Sequence, residues 1–315
     1  KPVVRLSALM RLHVIYIWTH DSFRVGEDGP THQPVEQEAQ IRLMEHLHNH
    51  RGERSMVVLR PADSAEAIAS WKVALEEERP VGLIFSRQNV DDVPAKGESR
   101  FEEAMAEIKH GGYVVADCEG TPDVVMVASG SEVSTLIAGS AKLREEGIKT
   151  RVVSVPSEAL FFDQSVEYRN EILPEGIVRY GLTSGLPMTL QTLVGLTGKI
   201  HGLDHFGYSA PFKVLDEKFG FSGQTVYNEV KEMLGRQAQP LNMSDVGTDS
   251  CAGRYLFNNK RQIDEPPSPK WLSTLIAHDA PARCDGSTVG YGSAFGDVGW
   301  VSVTLAKARC SRFAH

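Results

Sequence analysis

The densest set of chemically capable side chains runs from His20 to His32: His20-Asp21-Ser22, then Gly26-Glu27-Asp28-Gly29-Pro30-Thr31-His32-Gln33-Pro34. Histidine titrates near neutral pH, so two imidazoles in one loop can hold sugar hydroxyls or shuttle protons. Asp28 has Gly26 and Gly29 close by, which would let the backbone approach a ligand. A solvated turn explains the same composition, because Asp, Gly, Pro and Ser make turns for local reasons. Arg87, in Ser86-Arg87-Gln88-Asn89, offers a guanidinium that can grip a phosphate through paired hydrogen bonds. The plainer reading is a surface arginine bonded to a carboxylate.

Other candidates carry weaker signals. His46, His48 and His50 look metal-like, but no acidic partner stands at a fixed spacing, which favours a solvated helix end. Gly130-Ser131 resembles a phosphate turn opening a helix, yet neither GxGxxG nor GxxxxGK[ST] is present, and any strand-to-helix turn needs small residues. His205 to Pro211, HFGYSAP, fits catalysis and packing between domains equally. Without a GxSxG elbow, a hydrolase triad has little support.

These residues need elements to hold them. His13 to Thr19 reads as a buried strand ending at His20. Pro34 to about Leu47 has helical spacing, with Pro34 suited to a first turn. Met56 to Arg60 reads as a strand. Asp63 caps a helix over DSAEAIASWKVALEEE, with Ala65, Ile68, Trp71 and Leu75 on one stripe. Val81 to Phe85 is a third short strand. His20 and Arg87 therefore both follow strands of what reads as a parallel sheet, where ligands bind outside the carboxyl ends.

Asn89 to Gly112 reads as a linker with one short helix, FEEAMAEI. A second α/β region follows. It has strands at Val124–Ala128 and Thr150–Val155, and further ones at Ile177–Leu182 and Lys199–Leu203. Helices are expected at Glu132–Glu146, closed by Gly147, at Val214–Phe219, and at Thr225–Leu234 with Val226, Val230, Met233 and Leu234 on a stripe. Gly235 to His315 lacks strong helical stripes and reads as disorder or a poorly packed appendage, with a small β unit as the alternative.

Composition sets the limits. The chain has 315 residues, which at roughly 100–200 residues per domain suits two domains or three. Hydrophobic residues make up 41% and charged residues 23%, an ordinary globular mix that excludes wholesale disorder. A formal net charge of -8 argues against a nucleic-acid or anionic-membrane partner, both of which need a basic face. No apolar run approaches the ~20 residues that cross a bilayer. Cys118, Cys251, Cys284 and Cys310 form no CxxC pair, which sets aside a zinc knuckle or thioredoxin motif. Sparse cysteine suits a reducing setting, and the cytoplasm is the expected location. The N-terminus reads as a helix end running into a strand. Starting without methionine and almost inside an element, the chain reads as a fragment.

The string GEDGPTHQPVEQ (Gly26 to Gln37), with THDS (Thr19 to Ser22), LRPAD (Leu59 to Asp63) and FSRQN (Phe85 to Asn89), resembles the second half of the pyrimidine-binding domain of transketolases. GGYVV, ASGSEV (Ala128 to Val133), VVSVPS (Val152 to Ser157) and HFGYSAP resemble the C-terminal domain of that family. The resemblance covers roughly Lys1 to Leu234. It implies two mostly parallel-sheet α/β domains. Residues 1–89 would be a partial pyrimidine-binding domain, 90–112 a linker, 113–234 the C-terminal domain and 235–315 an unassigned tail.

Transketolases move a two-carbon ketol unit from a ketose phosphate to an aldose phosphate through a carbanion on thiamine diphosphate, held with a divalent metal such as Mg2+. By resemblance, His20 contacts the sugar-phosphate end, and Asp28 reads a hydroxyl near the reacting carbons. His32 is the catalytic histidine beside the reaction centre, and Arg87 binds substrate phosphate. Asp28 and His32 are then expected to lie deeper than His20, toward the missing cofactor half. Sugar phosphates and a second copy, as a homodimer, are the implied partners. The diphosphate- and metal-holding domain and the glutamate that activates the cofactor find no match here, so a fragment inactive alone is expected. A split enzyme, a deoxyxylulose-phosphate synthase, a keto-acid dehydrogenase component and a non-catalytic remnant are the alternatives; GEDGPTHQP with SRQN favours transketolase. The chain also departs from the pattern: Phe23-Arg24 stand where Ile-Gly is usual, MEHLHNHRGER is longer than expected, and Gly181 to Gly185, GLTSG, stands where many members carry a glutamate in VEAG.

Overall fold

The computed structural model describes residues 2–237. Helix α1 (Pro2–Met10) leads into strand β1 (Ile15–Thr19), and a 3-10 turn over Phe23–Asp28 precedes α2 (Gln37–His46). β2 (Val57–Leu59), α3 (Ser64–Glu76) and β3 (Val81–Phe85) complete a parallel sheet of order β1-β3-β2. α4 (Arg100–Glu107) crosses to β4 (Tyr113–Ala116), β5 (Val124–Ala128), α5 (Glu132–Glu145), β6 (Thr150–Ser154), α6 (Glu158–Phe162) and α7 (Val166–Ile172). β7 (Arg179–Leu182), α8 (Gln191–Val194), β8 (Lys199–His201), α9 (Phe212–Phe219) and α10 (Gly223–Gln237) follow. The second sheet has the order β4-β6-β5-β7-β8, parallel except for β4, which runs antiparallel to β6. The two-sheet, mostly parallel α/β class is therefore as the sequence predicts.

β5 shows why its five apolar residues do not alternate with polar ones. Val125 and Val127 pack with Val153, Phe161 and Leu193 on one face of the sheet. Val124 and Met126 pack with Leu136, Val226 and Val230 on the other. Both faces are covered, as parallel strands require. Phe23, Val35 and Ala62 from the first half of the chain join that second cluster, while the strands of the first sheet pack in clusters of their own.

Asp63 caps α3 as predicted, its side chain accepting from the Glu66 N–H at 2.8 Å. The predicted stripe on this helix is corrected. Ile68, Trp71 and Leu75 are exposed, and the buried face carries Ala65, Glu66, Ala69, Ser70 and Ala74. Small side chains let the helix lie close to Leu59, Leu83 and Ala104, and that contact outweighs the larger apolar stripe. The short edge strand β4, with a register shift between Val114 and Ala116, and helices α6 and α7 were not foreseen. α10 extends through Gln237, taking in the first residues of the expected tail. The rest of that expectation lies outside the described residues.

Glu66 joins the two sheets. Its Oε1 accepts from Tyr113 at 2.6 Å, Ser154 at 2.8 Å and Arg100 at 3.1 Å, while its Oε2 accepts from the Ala62 N–H at 2.8 Å. Arg100 also binds Asp63 at 2.7 Å. Thus α3, α4, β4 and β6 meet on one buried carboxylate. Tyr113→Phe removes a hydrogen bond to a charged group, worth about 1.5–3 kcal/mol. The expected result is a lower urea midpoint with an unchanged slope; an unchanged midpoint would show that Glu66 does not join the sheets through this bond.

Candidate functional site

β1 and β3 are paired neighbours with Thr19 opposite Phe85, so His20 and Ser86-Arg87 leave the sheet side by side at its carboxyl edge. A cavity of about 230 Å³ opens there, walled by His20, Asp21, His32 and Glu38, with Gly185 and Phe206 from the later part of the chain. His20 donates its N–H to the Phe85 carbonyl at 3.1 Å and carries a φ of 101°. L side chains rarely adopt that conformation, and such strain clusters at functional sites. The Nδ1 of His20 is buried and has no hydrogen-bond partner.

Of the four residues singled out by resemblance, the cavity brings His20 and His32 together. Asp28 and Arg87 are exposed and do not line it. In this chain His20 is half-buried, whereas Asp28 and His32 are exposed. The cause is local. Ser22 caps the 3-10 turn, accepting from the Arg24 N–H at 3.2 Å, and this turns Phe23, Arg24 and Val25 inward. After Gly26, at a φ of 82°, the loop comes to the surface. Gln33 pins it there, donating to the carbonyls of Gly26 and Tyr208, each at 2.9 Å. Gly207 lies so close to Gln33 that a Cβ would not fit. HFGYSAP therefore serves as the packing surface for the GEDGPTHQP loop.

Sequence reasoning missed the residues beneath the cavity. Arg60 has no exposure, and its guanidinium lies 2.9 Å from Asp21, 2.6 Å from Glu132 and 3.4 Å from Glu38. It also donates to the Ser129 carbonyl and to Ser184 Oγ, each at 3.1 Å. A Cβ at Gly130 would strike this side chain, so the Gly130-Ser131 turn is filled by arginine and is not a phosphate cradle. Ser131 donates to Asp21 at 2.9 Å. Burial opposes ionisation of Asp21, but Arg60 and Ser131 overcome it and hold the carboxyl below its ordinary range. Burial dominates at Glu132 and pushes its pKa up against the pull of Arg60. The available signal was a charge ending the apolar run MVVLR, paired with a glutamate at the first position of a helix.

The departures from the family pattern are absorbed by packing. Phe23 meets Phe219 and Phe221 edge-on, with ring centres 4.9 Å away in each case. Arg24 lies 2.7 Å from Asp216 and 3.3 Å from Glu132. In GLTSG, Thr183 accepts from the Gly185 N–H at 3.1 Å, and Ser184 sits on Arg60.

A second buried guanidinium, Arg42, lies beside the first. It is 2.8 Å from Glu38, 3.1 Å from Glu45 and 3.8 Å from Glu158. Burial pushes Glu158 up to about 7, with Arg42 opposing and Glu45 reinforcing. Burial raises Glu45 as well. Among the described residues, no cluster of three His, Cys, Asp or Glu side chains could hold a metal ion. His46 is the last residue of α2, and His48 and His50 follow in the loop.

Comparison with known proteins gives a consistent relationship. The family model described as "Transketolase, pyrimidine binding domain" matches residues 1–92, and "Transketolase-like TK C-terminal domain" matches 111–222. Transketolase 1 of Escherichia coli (strain K12) is 41% identical over 233 residues, which is 73% of this chain and 33% of that protein. A transketolase of Halalkalibacterium halodurans is 42% identical over 236 residues, 74% of this chain and 34% of that protein. The chain thus spans about a third of the length of these curated relatives. Transketolase from Leishmania mexicana superposes with a TM-score of 0.65 at 37% identity, covering 75% of this chain and 32% of the other. A split-gene transketolase, solved as an inactive β4 tetramer, superposes with a TM-score of 0.51 at 25% identity, covering 70% of this chain and 67% of the other.

The carboxylate beside Arg42 makes stability depend on pH. Glu158 titrates at about 7 in the fold and near 4.5 when unfolded. Its contribution is therefore complete below pH 4.5 and is lost as the pH rises through 7. At one pKa unit per 1.36 kcal/mol the loss approaches about 3 kcal/mol. Glu158→Gln should match the native chain at pH 4 and exceed it at pH 8 in urea unfolding. Equal stability of the two at both pH values would refute this account.

Proposed function

The chain belongs to the transketolase family, spanning its pyrimidine-binding and C-terminal domains, and we propose that it forms the sugar-phosphate side of a ketol-transfer site. The reaction so served moves a two-carbon unit from a ketose phosphate to an aldose phosphate. The supporting observation is the cavity that joins His20 and His32 at the carboxyl edge of the first sheet, with Arg87 leaving that same edge. Residues 1–89 and 113–234 act as the two domains, with 90–112 between them.

Each side chain has a task its position allows. Arg87 is exposed, and its guanidinium can meet two oxygens of a phosphate as the substrate arrives. His20, with an unpartnered Nδ1, holds the same end of the sugar. Asp28 accepts from a substrate hydroxyl and selects among sugars, since a polar reader penalises a missing partner. The Nδ1 of His32 engages Thr31 Oγ1 at 2.9 Å. That leaves Nε2 to donate to, or accept from, the oxygen nearest the bond that changes.

Thiamine diphosphate with a divalent metal is the cofactor pair the family implies. The described residues do not make a site for its diphosphate end. The buried charges walling the cavity are the carboxylates Asp21 and Glu38, Arg60 is committed between them, and no metal-holding cluster is present among the described residues. That end is held by other residues or another polypeptide. The coverage of two thirds of a split-gene chain favours completion by a second polypeptide.

Alone, the chain is expected to be inactive and to show no saturable calorimetric binding of thiamine diphosphate with magnesium at micromolar concentrations. Mixing with a family polypeptide that carries the diphosphate- and metal-binding domain should restore transfer between sugar phosphates. In the restored enzyme, Arg87→Ala should raise KM for phosphorylated sugars at nearly constant kcat, and His32→Ala should lower kcat. A stable complex without transferase activity would support the non-catalytic remnant. Activity on 2-keto acids instead of ketose phosphates would reassign the reaction.

A further inference from the structure

The segment that the family resemblance leaves unexplained, MEHLHNHRGER, builds a wall of a second cavity. It folds as a tight turn. Asn49 Oδ1 accepts from the N–H groups of Arg51 at 2.9 Å and Glu53 at 3.1 Å, and the Ser55 N–H returns to the Leu47 carbonyl at 2.7 Å. Gly52 takes a φ of 81° at the tip. Against this turn lies the last part of α1. Between them is a cavity of about 350 Å³, within the range that admits small metabolites. It shares no lining residue with the cavity at His20.

Its chemistry is cationic. Arg5 and Arg11 line it from the α1 side, and His48, His50 and Arg51 from the turn, with no carboxylate among the lining residues. Glu53 borders the cavity, 3.1 Å from Arg11 and 2.9 Å from Asn49 Nδ2. The C-terminal ends of α1 and α2 lie alongside and add roughly half a negative charge each. Three guanidinium groups still exceed these, even with both imidazoles neutral. The Nε of Arg11 is buried and has no partner. Leu9, Met44 and Leu47 supply an apolar side. We propose that this cavity binds a phosphate monoester of a small organic molecule, with the guanidinium groups on the phosphate and the apolar side against the carbon skeleton. Guanidinium geometry suits phosphate oxygens in pairs, and the imidazoles and Asn49 add single donors.

The test uses the full chain, with the ring-proton resonances of its histidines read during titration with inorganic phosphate and then with glycerol phosphate. Saturable shifts at His48 and His50 are expected at millimolar concentrations, with glycerol phosphate the tighter probe. Arg5→Ala combined with Arg51→Ala changes two exposed side chains and should weaken binding about tenfold or more, the scale of losing ~1.4 kcal/mol. Shifts that only follow ionic strength, as with sodium chloride, would overturn the proposal. So would an unchanged affinity in the double variant, or saturation at His20 and His32 with none at His48 and His50.

Discussion

A guanidinium with no access to water, held among carboxylates from both halves of the chain, is the constraint from which the site follows. Arg60 ends β2 of the first sheet. It meets Asp21 after β1, Glu38 on α2, and Glu132 and Ser184 from the second sheet. Leaving any of these charges buried without its partner would cost several kcal/mol, whereas the intact group gains little over apolar packing of equal volume. Such a cluster therefore contributes less to stability than to orientation. The two sheets can dock in few ways that satisfy every member.

That orientation reaches the cavity through Asp21. Its carboxylate is held by Arg60, Ser131 and Ser86, and two residues earlier Thr19 is locked in the β1–β3 ladder. His20 lies between these two held residues, has a φ of 101° and lines the cavity. Local strain of this kind persists only where the surrounding structure maintains it.

Much of this was legible in the sequence. Strand β3 and strand β5 have the bounds that their apolar runs predict, and the caps at Asp63 and Gly147 follow from local chemistry that needs no tertiary context. His20 and His32 were identified, and they share a cavity. What was hidden depends on contacts distant in sequence. The α3 stripe was misread because periodicity shows an amphipathic helix but not whether large or small residues face the partner. The exposure of Asp28 and His32 depends on a capped turn that buries Phe23 and Arg24 first. Arg60, Glu38 and Glu132 stand 22 to 94 positions apart, and no spacing rule brings them together. The motifs LRPAD and ASGSEV could be named as motifs while their joint role, one gripping the other, remained invisible.

The same layer has an unequal count of charges, and this decides how it must titrate. Arg24, Arg42 and Arg60 are buried, as are Asp21, Glu38, Glu45, Glu132 and Glu158. Carboxylates outnumber guanidinium groups, so the layer cannot be neutral with every carboxyl ionised, and an uncompensated charge in a dry interior is expensive. Protons must remain on the acids where burial outweighs the pull of the guanidinium groups. Asp21 and Glu38, each close to Arg60, are held low even though burial opposes it. Glu45, Glu132 and Glu158 are raised, burial being the largest cause at each. Glu158 is the farthest of its group from Arg42, at 3.8 Å, and one of its oxygens has no hydrogen-bond partner. It belongs to α6 of the second half, whereas Arg42, Glu38 and Glu45 belong to α2 of the first. Deprotonation there would add a buried negative charge at the seam between the halves, on the layer that seats Asp21 and, through it, His20. Arg42, Glu38, Arg60 and Asp21 make one continuous set of ion pairs from that seam to the residue beside His20.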